Sequence, residues 1–201
     1  MRRNVKKIGL FGGTFDPVHI GHLIIAAAVC DIMDLDTIIF IPSARPPHKG
    51  SKDILFNPEE RFEMLSLAVR DNPRFSVSDI EMQREGASYT IDTIREMKSK
   101  LPPDSEVSFI VGMDNLYEME LWKDPQDIIR ECRILVAQRV CDNSKDLPDW
   151  IDENVDMVDV PLIEISSSDI RKRIRAGRSI RYLVPDTVMK RIQDSGFAIP
   201  G

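Results

Sequence analysis

Residues 9–22 read Gly-Leu-Phe-Gly-Gly-Thr-Phe-Asp-Pro-Val-His-Ile-Gly-His, and this stretch joins a short apolar segment to an alanine-rich one. The segment from Val5 to Phe11 is short and apolar enough to form a buried strand. Gly12 and Gly13 allow the backbone to turn sharply and to approach a ligand closely. From about Gly21 the apolar, alanine-rich run predicts a helix. The stretch therefore predicts a strand, a glycine turn and the start of a helix.

A helix start after a glycine turn favours anions, because free N–H groups and the helix dipole both attract negative charge. His19 and His22 lie three residues apart at this helix start and can point the same way. As protonated rings, or simply as N–H donors, they are suited to hold phosphate oxygens. The alternative is a pair of histidines with a purely structural role.

Other ligand motifs do not fit this stretch. No Gly-Lys-Ser/Thr follows the glycines, which excludes a Walker A loop, and the spacing is not that of G-x-G-x-x-G. A zinc site needs three or four ligands, and His48 is the only further histidine. We therefore predict no metal site built from the protein's own side chains.

Composition limits the class of protein. The chain has 201 residues with 42% hydrophobic and 30% charged residues, which is typical of one globular domain over 1–201. A net charge of −6 argues against a general nucleic-acid partner. Three cysteines without a CxxC pair, a short apolar run after Met1 and no apolar window of about eighteen residues predict a cytoplasmic protein without a membrane partner.

Predicted strands and helices alternate along the chain. The strands are expected at 5–11, 37–41, 75–78, 106–111, 134–137 and 155–160. One helix is expected to begin at about residue 21, and another to follow residues 88–90 and end at about residue 99. The remaining helices are expected at 58–69, 124–130, 167–176 and 185–194. This order predicts an α/β fold: a Rossmann-like open parallel sheet with helices on both faces, plus a small C-terminal helical segment at about 165–201. Ligands bind beyond the carboxyl ends of such strands, where residues 12–13, 42–50 and 112–114 should meet.

The 9–22 stretch resembles the signature G-G-T-F-D-P-x-H-x-G-H of the HxGH nucleotidyltransferases, which transfer a nucleotidyl group from a nucleoside triphosphate to a phosphate. A second stretch, residues 45–49, reads Arg-Pro-Pro-His-Lys, and its prolines stiffen a basic loop. The alternative is a solvated loop with a chance cluster of charge. The Pro-Pro-His-Lys sequence of this loop resembles the nicotinate mononucleotide adenylyltransferase branch of the family, where the loop holds the phosphate of the mononucleotide and the triphosphate.

Two further stretches resemble the same branch. Residues 88–93 read Ser-Tyr-Thr-Ile-Asp-Thr, which is similar to the stretch that contacts the pyridine side of the mononucleotide in this branch. The alternative is that Ser88 or Thr90 caps a helix. Gly112-Met113-Asp114 is followed at 121–123 by Leu-Trp-Lys, and the alternative is a strand turn and a core tryptophan. The resemblance implies that Trp122 stacks on the pyridine ring and that Asp114 meets the nucleotide.

The last stretch, residues 165–171, reads Ile-Ser-Ser-Ser-Asp-Ile-Arg. Its alternative is a serine cap on a basic helix, whereas as a site its hydroxyls and N–H groups bind phosphates with Arg171 one turn into the helix. It resembles the family's I-S-S-T-x-I-R, with Ser168 in place of threonine. The chain departs from the pattern at 138–141, Gln-Arg-Val-Cys, where relatives carry Arg-Pro-Gly, so we assign no function to residues 142–150.

The resemblance implies adenylyl transfer from ATP to nicotinate mononucleotide, giving deamido-NAD and pyrophosphate in NAD biosynthesis. The implied catalytic residues are His19, His22 and Arg171. The implied ATP-binding residues are Gly12, Gly13, Thr14, Phe15, His19, His22, Gly112, Asp114, Ile165, Ser166, Ser168 and Arg171. The implied substrate-binding residues are Pro47, His48, Lys49, Ser88, Tyr89, Thr90, Trp122 and Lys123.

Mg²⁺ is expected with the triphosphate, held by phosphate oxygens and water, and Asp16 is either an outer contact of this site or a brace of its own turn. The alternatives are another HxGH transferase, such as one acting on phosphopantetheine, and a non-catalytic nucleotide sensor. Side chains alone do not decide between the acid and the amide mononucleotide, although the resemblance favours the acid. The sequence also leaves open whether the protein is a monomer or a homo-oligomer.

Overall fold

The structure is a computed structural model that describes residues 5–46, 54–139 and 148–200. Its six strands form one parallel sheet in the order β3-β2-β1-β4-β5-β6. The strands are β1 (Lys7–Gly13), β2 (Thr37–Pro42), β3 (Phe75–Val77), β4 (Glu106–Gly112), β5 (Arg133–Arg139) and β6 (Val155–Val160). This order confirms the predicted Rossmann-like α/β fold.

The helices connect and cover these strands. They are α1 (Ile20–Ile32), α2 (Pro58–Val69), α3 (Thr90–Lys100), α4 (Met113–Tyr117), α5 (Pro125–Glu131), α6 (Asp149–Asp152), α7 (Ser167–Arg175) and α8 (Asp186–Asp194). A single 3₁₀ turn, Met119–Leu121, follows α4. The elements α4, α6 and the 3₁₀ turn were not predicted, because segments of three to five residues are too short to show a helical period.

Two apolar clusters cover the two faces of the sheet, as the prediction of helices on both faces requires. One cluster holds Phe11 of β1 together with buried residues of α1, α2, α7 and α8, among them Val29, Ile174 and Val188. The other holds Leu10 of β1 with buried residues of α3 and α5, such as Ile91 and Ile128. The C-terminal helices therefore share a core with the helix that begins at the histidine pair.

The order in which strands are added to the sheet changes direction between β1 and β4: β2 and β3 lie on one side of β1, and β4, β5 and β6 lie on the other. β1 pairs with β2 on one side and with β4 on the other, so the two halves of the sheet diverge from this position. In open parallel sheets the crevice outside the carboxyl ends of such strands is where ligands bind. The fold thus places the ends of β1 and β4, at Gly13 and Gly112, beside one crevice.

Candidate active site

Two adjoining cavities lie in this crevice. The first, here called the histidine cavity, contains His19, His22 and Arg171 in its wall, and the second, the tryptophan cavity, contains Ser88 and Trp122. Both are lined by Gly12, Gly13, Thr14 and Asn115. The end of β1 is therefore the shared wall at which occupants of the two cavities would meet.

The predicted ATP-binding residues all line the histidine cavity. They are Gly12, Gly13, Thr14, Phe15, His19, His22, Gly112, Asp114, Ile165, Ser166, Ser168 and Arg171. Segments as far apart in the sequence as Gly12 and Arg171 thus converge at one rim, as the topology predicted. The ligand of these residues stays a prediction.

Gly12 and Gly13 do not form the predicted glycine turn. They are the last residues of β1, paired with Ile41 and Pro42 of β2, and the left-handed backbone that starts the turn is at Phe15, with φ of 48°. Glycine is needed for space instead, because a Cβ at Gly12 would lie 2.9 Å from the Phe109 ring. The prediction of a glycine turn was wrong, because these contacts come from distant parts of the chain.

The two histidines cap the first turn of α1 with each other. His19 Nδ1 accepts the backbone N–H of His22 at 3.3 Å, and His22 Nδ1 accepts that of His19 at 3.2 Å. The rings stack with centroids 3.6 Å apart. Since each Nδ1 accepts a hydrogen bond, the neutral form of each ring carries its proton on Nε2. The pair therefore has a structural role, and its Nε2–H groups are the donors that a phosphate would use.

His19 is neutral at physiological pH. It is 6% exposed, and burial lowers its pKa from 6.5 to about 4. Of the two forms considered from the sequence, the structure therefore favours the neutral ring over the protonated one.

The start of α7 supplies hydroxyls and a guanidinium to the same cavity. Ser166 Oγ accepts the N–H of Asp169 at 3.1 Å and so caps α7, as one interpretation of the sequence held. Ser168 Oγ accepts a hydrogen bond from Arg171 Nη2 at 3.1 Å. The guanidinium of Arg171 is held on the wall of the histidine cavity.

The predicted substrate-binding residues divide into two groups. Ser88, Tyr89, Thr90, Trp122 and Lys123 all line the tryptophan cavity, together with Pro46. Pro47, His48 and Lys49 lie outside the described residues.

Neither Ser88 nor Thr90 caps α3, so that interpretation was wrong. The cap residue is Tyr89, which makes no side-chain capping bond. Ser88 Oγ instead accepts the N–H of Arg45 at 3.0 Å, and the N–H of Ser88 donates to the carbonyl of Arg45. Ser88 thus ties the start of α3 to Arg45, the first residue of the basic loop.

Trp122 is half-buried in the cavity wall, not deep in the core. Its ring packs edge-to-face on Phe109, with centroids 6.4 Å apart. The neighbouring Lys123 pairs with both carboxylate oxygens of Asp92 at 2.9 and 3.1 Å, and its ammonium lies 5.0 Å from the centre of the Tyr89 ring. These contacts hold the Trp122 segment against the first turn of α3.

Several lining residues were missed from the sequence. Asn115 reaches both cavities, and its one signal is its position directly after Asp114. Glu81 lines the tryptophan cavity without a signal in the sequence, and its Oε1 accepts a hydrogen bond at 2.7 Å from the hydroxyl of Thr93, the last residue of the 88–93 stretch. Among the described residues there is no group of three His, Cys, Asp or Glu side chains that could hold a metal ion.

Comparison with known proteins places this chain in a family. The cytidylyltransferase-like family model matches residues 10–173. The probable nicotinate-nucleotide adenylyltransferase of Exiguobacterium sibiricum is 44% identical over 188 residues, covering 94% of this chain and 96% of that protein. The chain belongs to the nicotinate-nucleotide adenylyltransferase family. The resemblance seen in the sequence is confirmed.

A further relative and a solved structure match nearly the full length of the chain. The probable nicotinate-nucleotide adenylyltransferase of Lachnoclostridium phytofermentans is 39% identical over 200 residues, covering 96% of this chain and 99% of that protein. The structure of Plasmodium falciparum nicotinic acid mononucleotide adenylyltransferase complexed with NaAD superimposes with a TM-score of 0.75 at 17% identity, covering 95% and 96% of the two chains. That structural likeness bears on the fold. No helix in the described ranges is long and apolar enough to cross a membrane.

Proposed function

We propose that this protein transfers the adenylyl group of ATP to nicotinate mononucleotide, giving deamido-NAD and pyrophosphate. The observation that carries the proposal is the pair of cavities that share the end of β1. One cavity carries the histidine pair and an arginine, which suit a polyphosphate, and the other carries a half-buried tryptophan, which suits a planar ring. Family membership supports the same reaction, and we take residues 1–201 to act as one domain.

The reaction needs no nucleophile from the protein. An oxygen of the mononucleotide phosphate attacks the α-phosphorus of ATP in line, a new P–O bond forms, and the bond to the leaving pyrophosphate breaks. The protein's part is positioning and stabilisation of charge, as in other phosphoryl transfers. Because the cavities meet at Gly12–Thr14, the attacking and leaving groups would be brought together there.

The histidine cavity is assigned to ATP. The Nε2–H groups of His19 and His22 would donate to phosphate oxygens, and Arg171 would hold the β- and γ-phosphates as pyrophosphate leaves. The Ser166 and Ser168 hydroxyls lie beside it on the same wall.

Mg²⁺ would enter with the triphosphate. The acidic side chain nearest the turn, Asp16, is 2% exposed, and each of its carboxylate oxygens already accepts a backbone N–H. Because this carboxylate is already occupied, the site suits an ion held by phosphate oxygens and water, where it would neutralise charge on the phosphates.

The tryptophan cavity is assigned to the mononucleotide. Trp122 would stack on the pyridine ring, and the first turn of α3, behind Ser88, Tyr89 and Thr90, would receive its carboxylate. His48 and Lys49 would neutralise phosphates, and Lys123 adds a cation at the rim, where it is paired with Asp92.

Replacing Trp122 by alanine tests this assignment. We expect Trp122→Ala to raise KM for the mononucleotide about tenfold and to leave KM for ATP unchanged, since stacking on a base is worth about 1–3 kcal/mol. Trp150→Ala, in α6 and outside both cavities, is the matched control. A change confined to KM for ATP would contradict the assignment.

The two alternative functions make different predictions. Turnover with phosphopantetheine but with no pyridine mononucleotide would favour another HxGH transferase, and no consumption of ATP would favour a sensor.

A further inference from the structure

Asp16 is a buried carboxylate at the junction of three separate segments. Its Oδ2 accepts the backbone N–H of Leu55 at 2.8 Å, and its Oδ1 accepts that of Phe56 at 2.9 Å. Both oxygens are therefore used by the chain segment that follows the basic loop in sequence. From the sequence Asp16 was expected to be an outer contact of the site or a brace of its own turn, whereas in the structure it braces residues 55–56, forty positions away.

Arg61 holds the same segment through a second set of hydrogen bonds. This side chain is fully buried, and its Nε donates to the carbonyl of Phe56 at 3.1 Å while Nη1 donates to the carbonyl of Thr14 at 2.6 Å. Thr14 belongs to the wall shared by the two cavities. Asp16 and Arg61 therefore fix the turn after β1 and residues 55–56 against each other as one unit.

The third segment is α7, which reaches this unit through Arg171. Its Nη1 donates to the backbone carbonyl of Asp16 at 2.9 Å, and its Nε lies 3.6 Å from Asp16 Oδ2. With the bond from Nη2 to Ser168 Oγ, the guanidinium is constrained at all three nitrogens. A planar guanidinium held in this way presents its remaining N–H groups in one fixed direction, and the side chain lines the histidine cavity.

The constrained guanidinium meets a general requirement for stabilising a leaving group. A cation that stabilises a leaving group helps only if it is already in place, because reorganisation during the reaction would consume the gain. Arg171 lies 155 residues from Asp16 in the sequence, and within α7 only Ser168 holds its guanidinium among the hydrogen bonds of the described residues. Asp16, whose own position is set by two backbone N–H groups, provides the direction of that guanidinium.

We propose that Asp16 is a positioning residue that acts through Arg171, orienting its guanidinium toward the leaving phosphates. The inference rests on the proposed function, because it takes Arg171 to contact the polyphosphate. Asp16 itself touches neither substrate in this account, and Arg61 supports it by holding residues 55–56.

A double-mutant cycle tests the proposal. At saturating mononucleotide we expect Asp16→Asn to lower kcat/KM for ATP about a hundredfold, the scale of a misplaced catalytic group. Arg171→Ala should lower it at least as far, and the double variant should fall no further than Arg171→Ala alone. If the two losses multiply in the double variant, or if Asp16→Asn retains full activity, the proposal is overturned.

Controls separate positioning from loss of fold. Asp156→Asn makes the same change in a carboxylate bonded to Arg133 at the sheet edge, and its kcat/KM should stay at the wild-type value. Arg171→Lys keeps the positive charge and the bonds of Asp16 to residues 55–56, but it cannot make the same planar set of contacts. We expect Arg171→Lys to lose nearly as much as Arg171→Ala, and wild-type activity in Arg171→Lys would show that the direction of the cation is unimportant.

The same cycle measured on Kd for Mg-ATP needs no turnover. Non-additive losses of affinity would support the positioning role even if the wild-type protein failed to use nicotinate mononucleotide. Failure of the proposed reaction and failure of this inference are therefore distinguishable, and multiplicative losses of affinity would overturn the inference on their own.

Discussion

At the scale of residues, the histidine pair combines a capping bond with a donor that can face a phosphate. Each Nδ1 is used by a backbone N–H of its partner, so neither ring can rotate without opening the first turn of α1. The consequence is that substitutions at these positions change both the helix and the site, and the two effects have to be separated by the choice of replacement.

The buried, neutral state of His19 predicts a pH-dependent stability. The pKa is about 4 in the folded protein and near 6.5 in the unfolded chain, so the unfolded chain binds the proton first as the pH falls. This contribution to stability is complete above pH 6.5 and is lost as the pH falls toward 4. Between pH 7 and pH 5 we expect a loss of about 2 kcal/mol from this group. Urea unfolding at the two pH values measures it.

His19→Asn is the matched control for that measurement. Asparagine is a good cap residue, so the helix start is retained, but it does not titrate. The difference in stability between pH 7 and pH 5 should be smaller in this variant by about 2 kcal/mol. An equal pH dependence in both proteins would mean that His19 is not buried in its neutral form.

His22 is predicted to stabilise the transition state. His22→Gln keeps an acceptor for the backbone N–H of His19, because glutamine suits this position of a capping box, but it removes the imidazole. We expect kcat to fall about a hundredfold, the value of one charge-stabilising donor, while the melting temperature changes little. Steady-state kinetics and thermal unfolding measure the two effects, and an unchanged kcat in the folded variant would remove the catalytic role.

At the scale of elements, the first turn of α1 requires a small residue at Gly21. A Cβ there would lie 3.1 Å from two ring atoms of His19. We expect Gly21→Ala to lower kcat at least tenfold by displacing the ring, a misplacement of the kind that is costly in catalysis. Kinetics with the thermal unfolding of the same preparation test this.

The double variant His19→Asn with Gly21→Ala isolates the cause. Without the imidazole there is nothing for the new methyl group to displace, so Gly21→Ala should cost no further activity in the His19→Asn background. A further tenfold loss in that background would show that Gly21 matters for another reason, such as direct approach of the ligand.

The elements themselves were predictable where their signals are local. α2 begins at Pro58 and ends at Val69 as predicted, because Asn57 and Glu60 form a capping box within four residues of sequence. Gly12 and Gly13 were misinterpreted as a turn because the rings that exclude a side chain there include Phe109, which is far away in sequence. Ser88 was misinterpreted as a cap because its partner, Arg45, lies 43 residues away.

The same distinction holds for the site. His19, His22 and Arg171 could be named from motifs, because each belongs to a short contiguous pattern. The roles of Asp16 and Arg61 could not be named, because they depend on bonds to residues 55–56 and to Thr14 that only the folded chain brings together. Local chemistry is visible in the sequence, whereas the bracing of that chemistry is tertiary.

At the scale of the whole molecule, we predict that a divalent metal ion enters with ATP and is held by its phosphates. The described residues contain no cluster suited to a metal ion. We therefore expect EDTA to abolish pyrophosphate release and to leave the melting temperature of the nucleotide-free protein unchanged, with Mg²⁺ restoring activity. A lower melting temperature in EDTA would instead indicate a structural metal ion bound by the chain.

The most direct test of the central claim is pyrophosphate release from Mg-ATP, measured in parallel with nicotinate and nicotinamide mononucleotides. The two substrates differ by a carboxylate against an amide, and a carboxylate received by the first turn of α3 would be strongly preferred. We expect kcat/KM to favour the acid about a hundredfold, the scale of a contact to a buried polar group. If neither mononucleotide leads to release of pyrophosphate, the assignment of the tryptophan cavity and the proposed function are both contradicted.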